Sequence, residues 1–158
     1  MKRKLIFFII IILILVIVMY YIFNYIVYIT QVDIKYVEKL EKALKSYDIV
    51  SLDECLNEDV EICYKNEHDT YLNCRKNILE NMEHKNYTLT IYGGGNNIFK
   101  NSIQEIFTQV YGTFYGKDYG ESNIIVYLKQ TGLHSFEIIK LESSDEIFKE
   151  LFFRNSFN

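Results

Sequence analysis

A charge-free, apolar stretch runs from Leu5 to Ile29, with Asn24 inside the run and Thr30 at its edge as the polar exceptions. A spanning helix needs about 20 apolar residues to cross roughly 30 Å of hydrocarbon. At about 1.5 Å per residue this run reaches roughly 37 Å, so the surplus implies tilt or a last turn among the headgroups. Sixteen of the nineteen residues from Leu5 to Phe23 are Leu, Ile, Val or Phe, which favours insertion by something on the order of 5 to 10 kcal/mol. A cleaved signal peptide has a shorter apolar core followed by small residues. Here Tyr20, Tyr21, Ile22, Phe23 and Tyr25 hold those positions, and the first Ala is Ala43. Cys55, the first Cys, lies too far on for a lipid-modified N-terminus. The pattern predicts a signal anchor: residues 1–30 form a cytoplasmic tail and transmembrane helix, and residues 31–158 one domain.

Beyond the span the apolar spacing changes. Tyr36, Val37, Leu40, Ala43, Leu44 and Tyr47 recur at helical period with Glu and Lys between them, an amphipathic helix that continues or closely follows the anchor. Ser51-Leu52-Asp53-Glu54 fits a capping box and predicts a short helical turn. Val60, Ile62 and Tyr64 alternate with polar neighbours as a strand does. Helical spacing returns from Thr70 to Met82, with Asp69 or Thr70 as N-cap. Four β-branched and aromatic stretches follow: 87–92, 103–111, 123–130 and 135–142. A Gly93–Asn97 turn, a loop from Gly112 to Gly120 and a Thr131-Gly132 turn divide them, and residues 146–153 close the chain as a short helix or last strand. The predicted class is α+β, an N-terminal transmembrane helix followed by helices packed on a curved antiparallel sheet of about four to five strands.

Charge sharpens the topology. Lys2, Arg3 and Lys4 abut the apolar edge and favour a cytoplasmic N-terminus. Lys35, Lys39, Lys42 and Lys45 on the far side pull the other way, but a long C-terminal part translocates regardless of charge. The expected arrangement is a single-pass cell membrane protein, N-terminus inside and C-terminal domain extracytoplasmic, with Tyr20, Tyr21, Tyr25 and Tyr28 at the outer interface. The formal net charge is -4, and it becomes -7 once residues 1–30 are set aside. That acidity argues against nucleic-acid binding, which needs a cationic face.

Candidate chemistry is sparse. Cys55, Cys63 and Cys74 show no Cys-x-x-Cys and no His at ligand spacing, so no metal site and no cofactor is implied. Buried thiols are the default, and a Cys63–Cys74 bridge is open only in an oxidising space. Gly93-Gly94-Gly95 lacks the Lys-Ser/Thr and the following helix of a phosphate loop, so a strand-to-strand turn explains it. His68 reads as an exposed cap-region residue and His84 as a helix-end cation. His134 opens the last long strand and is the histidine kept for a pocket. Tyr92, Tyr111 and Tyr127 are candidates for a concave, ligand-gripping face, against a reading in which they fill the core or its rim. No catalytic set stands out.

The order of helix, short strand, helix and four long strands resembles the nuclear transport factor 2-like superfamily over residues 32–153. Carrying the resemblance are the helix 36–47 ending in Ser46-Tyr47-Asp48, the Leu56-Asn57-Glu58-Asp59-Val60-Glu61-Ile62 step into a strand, the helix around Arg75–Met82, and the strand run ending at Phe136-Glu137-Ile138-Ile139. The resemblance implies a cone of sheet wrapped on a helix, whose hollow hosts isomerases, dehydratases, ligand binders and structural modules. The superfamily's enzymes place an Asp/His or Asp/Tyr set inside the hollow, and no residue here matches one. Membrane-anchored members among bacterial conjugation and type IV secretion components share this layout. The expected function is a non-catalytic binding or assembly module of the cell envelope, held in the bilayer by Leu5 to Ile29. Its partner would be an envelope protein or small apolar ligand at the sheet's concave face. The alternative is a pocket enzyme or apolar-ligand binder on the same fold.

Overall fold

The computed structural model describes residues 2–93, 98–100, 103–132 and 135–153. Two compact units divide the chain, Met1–Val32 and Asp33–Asn158. The first consists of the greater part of helix α1 (Lys2–Lys45). Its segment Ile6–Ile26 has a mean hydropathy of 3.3, and every side chain in it is exposed. A helix apolar on all sides is at home in hydrocarbon rather than water. It is long and apolar enough to span a membrane.

In the second unit the last turns of α1 bury the expected stripe, Val37, Leu40, Ala43 and Leu44. The helix stops at Tyr47, which takes a left-handed φ of 57°. There Asp48 N–H donates to Ala43 O and Tyr47 N–H to Leu44 O, the paired bonds of a Schellman ending. Tyrosine holds a conformation that favours glycine because its ring packs on Tyr87 and its hydroxyl donates to Tyr87 O. Asp48 then starts α2 (Ile49–Cys55). This corrects the capping box expected at Ser51. Asp48 Oδ1 accepts from the N–H groups of Val50 and Ser51, and the Ser51 hydroxyl donates to Asp48 Oδ2. An ionised carboxylate outcompetes a hydroxyl as N-cap acceptor, and the helix begins three residues earlier.

Next come β1 (Glu61–Tyr64) and β2 (Glu67–Thr70), α3 (Tyr71–Glu83) and β3 (Tyr87–Gly93). After them lie β4 (Ile98–Lys100), β5 (Ile103–Phe114), β6 (Lys117–Gly132), β7 (Ser135–Ser143) and α4 (Glu146–Phe152). Among the described residues the strands form one sheet in the order β2-β1-β7-β6-β5-β3, with β4 also on β5. Every recorded pairing is antiparallel except β1 with β7, which is parallel. The architecture is α+β, as the alternation of periods indicated. The Gly112–Gly120 loop is corrected: β5 and β6 run on to Phe114 and Lys117. Tyr115 and Gly116, both at positive φ, close them as a type I′ hairpin. The turn expected at Gly94–Asn97 lies outside the described residues.

One face of the sheet is filled by the chain's own side chains. Ile106, Val110, Ile124, Val126, Leu128, Phe136, Ile138 and Leu141 are buried there, in alternation with exposed or half-exposed neighbours. The C-terminal helix covers part of that face: α4 packs on β5, β6, β1 and α3. It buries Ile147, Phe148, Leu151 and Phe152. The last carbonyls of α4 are capped from α3. Asn77 Nδ2 donates to Leu151 O at 3.0 Å and Asn81 Nδ2 to Glu150 O at 3.2 Å, which satisfies acceptors a short helix leaves open. Gln104 is the exception on this face, fully buried with neither amide atom hydrogen-bonded.

Candidate binding surface

Because strand side chains alternate, the residues between the buried ones share the opposite, outer face. Register fixes their neighbours. Cys63, Glu142, Ile125 and Phe107 form one row across β1, β7, β6 and β5, and Glu61, Lys140, Tyr127 and Glu105 form the row beside it. Further along β5 lie Gln109 opposite Tyr92, then Tyr111 opposite Glu121. Tyr92, Tyr111 and Phe107 are 55%, 41% and 38% exposed. Large aromatics left open side by side on a sheet mark an interaction surface more often than scattered apolar residues do.

The three tyrosines expected at a ligand-gripping face, Tyr92, Tyr111 and Tyr127, share the face opposite the buried side chains. Tyr92 and Tyr111 meet edge-to-face, ring centroids 5.7 Å apart. Tyr127 belongs to a separate group several residues along the strands. Its hydroxyl donates to Glu142 Oε2 at 2.9 Å, and the Lys140 ammonium stands 4.8 Å from its ring centroid. Burial pushes the Tyr127 phenol up, and the bond to Glu142 adds to it. The Lys140 partner at 2.6 Å holds the Glu142 carboxyl below its ordinary value, with Tyr127 assisting against the opposing effect of burial. His134 lies outside the described residues.

A pair the sequence did not suggest sits at the edge of this surface. His68 is on β2 rather than at a helix start, and its Nδ1 lies 3.1 Å from Cys63 Sγ. The hairpin sets Cys63 opposite His68; with β2 too short to show a period, the sequence carried no signal of it. Cys63 is 1% exposed, and burial pushes its thiol up while Lys140 opposes the shift. A buried, protonated thiol is a poor nucleophile. Cys55, Cys63 and Cys74 are all free thiols. Among the described residues no three His, Cys, Asp or Glu side chains are grouped so as to hold a metal ion. His84 is the C-cap residue of α3.

On the helix side, Asp53 ties α2 to α3. Its carboxylate accepts from Arg75 Nε at 2.8 Å and Nη2 at 2.6 Å, and Tyr71 donates its hydroxyl at 2.7 Å. The Arg75 bonds hold the Asp53 carboxyl below its ordinary value although burial opposes them. A depression of about 430 Å³ borders this cluster, lined by Leu56, Asn57, Glu58 and Leu72 beside it.

No protein-family model matches the sequence, and no curated protein matches it. Solved structures do match the fold. A nuclear transport factor 2-like protein of unknown function from Shewanella oneidensis superposes with a TM-score of 0.60 at 14% identity, over 73% of this chain and 99% of that one. One from Cytophaga hutchinsonii gives 0.55 at 12%, over 73% and 97%. An epoxide hydrolase of the LEH-like kind from Mycobacterium tuberculosis gives 0.54 at 10%, over 75% and 88%. At these identities the match establishes the fold alone: the chain has the nuclear transport factor 2-like fold.

Proposed function

We propose that this chain is a single-pass membrane protein whose domain, residues 31–158, stands outside the cytoplasm as a non-catalytic binding or assembly module of the cell envelope. The observation that carries this reading is the division of labour between the two sheet faces. The inner face is packed by Ile106, Val110, Val126 and Leu128, whereas the outer face leaves Tyr92, Phe107 and Tyr111 open. The contact is accordingly assigned to the outer face. Tethering supports it physically, because an anchor confines the domain to a thin layer and raises its effective concentration for partners there.

The test has two arms. Protease added to intact cells should digest the domain, and a photo-reactive phenylalanine analogue at Phe107 should give a discrete cross-linked species in membranes. The same analogue at Lys76 on α3 should not. Protection of the domain reverses the topology, and equal cross-linking from Lys76 removes the outer face as the contact.

A second reading rests on Gln104. An amide buried with both atoms unpaired is where a small hydrogen-bonding ligand would gain most, and an epoxide hydrolase of the LEH-like kind has the same fold. On that reading the hollow opens to admit the ligand.

A further inference from the structure

Two places in the domain repeat one arrangement of three side chains. Tyr64 donates its hydroxyl to Glu146 Oε1. Lys65 Nζ donates to the same oxygen at 3.0 Å and lies 4.7 Å from the Tyr64 ring centroid. On the outer face Tyr127 donates to Glu142 Oε2. Lys140 Nζ meets that oxygen at 2.6 Å and lies 4.8 Å from the Tyr127 centroid. In both, phenol and ammonium share one carboxylate while the ring presents its negative face to the cation.

A third tyrosine–glutamate pair stands without a cation. Tyr111 and Glu121 are directly opposed on β5 and β6. Gln109 Nε2 steadies Glu121 Oε1 at 2.8 Å. Tyr92 adds a second aromatic wall, its plane at 77° to that of Tyr111. Among the described residues no Lys or Arg forms an ion pair with Glu121, and none stands over Tyr92 or Tyr111.

We propose that this open triad receives a lysine or arginine side chain from a partner protein. The inference rests on the outer face being the contact surface and names what that surface recognises. Neighbouring residues extend the specification. Phe107 lies four positions back along β5, roughly 13 Å away, with Ile125 opposite it. A cation followed by an apolar side chain about that far on would engage both stations. The apolar station is what favours a polypeptide over a lone quaternary-ammonium headgroup. The net charge of -7 beyond the anchor draws such a segment in.

The full chain in uncharged detergent micelles would be titrated with a fluorescent Lys/Leu peptide and with its Glu/Leu counterpart. Binding of the first alone is expected. Glu121→Gln and the double variant Tyr92→Leu/Tyr111→Leu should each weaken it about tenfold. Glu83→Gln and Tyr115→Leu, which make the same changes at exposed positions elsewhere, should leave it within about twofold of wild type. Melting curves identify any variant that is misfolded, and the near-isosteric Glu121→Gln keeps the Gln109 contact available. No binding, or equal weakening by the controls, overturns the proposal. Displacement of the peptide by phosphocholine overturns it in favour of a lipid headgroup. Should cross-linking from Phe107 persist unchanged in Glu121→Gln, the outer-face contact stands and the cation site does not.

Discussion

Gly112 sits where β5 passes beneath α4 and against β3. A Cβ built there would come to 2.3 Å from Thr88 O, 2.7 Å from Leu89 Cδ2 and 2.9 Å from Ile147 Cδ1. Backbone on one side and packed side chains on the other leave no room to yield. Gly112→Ala should lower the unfolding free energy by about 1 to 3 kcal/mol, read as a shift in the urea midpoint; an unshifted midpoint would mean that β3 and β5 separate more easily than their register implies. Gln104 tests the opposite sign. Replacing an unpaired buried amide by a hydrocarbon of similar size removes a desolvation cost, so Gln104→Leu should stabilise the domain by about 1 to 2 kcal/mol. A loss of stability would show that the amide has a partner in solution and would favour the ligand-binding reading. Neither residue announces itself in the sequence. Gly112 looks like the start of a loop, and Gln104 occupies a core-face position in a strand whose neighbours alternate correctly. The tyrosines were ambiguous for a related reason: a ring with a polar tip suits a pocket or an open surface equally well. Only strand register assigns Tyr92 and Tyr111 to the outer face.

The contact between α2 and α3 hangs on one ion pair with an aromatic assistant. Because Arg75 lowers the Asp53 carboxyl below its ordinary 3.8, the native state holds this proton less readily than the unfolded chain. The stabilisation is therefore complete above 3.8 and disappears as pH falls through the lower folded value. Arg75→Met should cost about 1 kcal/mol near neutrality, allowing for solvent screening of a pair about one-third exposed. It should also make the loss of stability as pH falls below 3.8 shallower than in wild type. Parallel acid limbs in the two proteins would remove the clamp from the account. Periodicity made the long pieces legible: the stripe on α1, the span of α3 and the four long strands all follow from spacing. What it missed was short or non-local. Each of β2 and β4 is too brief to show a period. The parallel pairing of β1 with β7 joins Glu61 to Lys140 and leaves no local trace. The start of α2 depended on which of two acceptors three residues apart, Asp48 or Ser51, captures the free N–H groups.

The two units of the chain suit different solvents, and on the proposed membrane anchoring this separates their fates. Ile6–Ile26 exposes every side chain and is long and apolar enough to span a membrane, where such a helix would gain free energy from hydrocarbon. Asp33–Asn158 buries its own core and needs no lipid to do so. A chain beginning at Gln31 should accordingly remain folded in water, with the same mixed helix and strand content and the same urea midpoint as the domain within the full protein. Alkaline carbonate, which strips peripheral proteins but not spanning helices, should leave the full chain in the membrane pellet and release the shortened one. A full chain recovered in the supernatant would remove the anchor. A shortened chain that aggregates would show that the N-terminal helix also serves the domain's own folding. If both forms behave as expected, the shortened chain should still bind the Lys/Leu peptide, because Tyr92, Tyr111 and Glu121 all belong to the sheet. Tethering then contributes concentration at the membrane rather than intrinsic affinity, and deleting the anchor should abolish partner capture in cells while leaving the peptide affinity in solution unchanged.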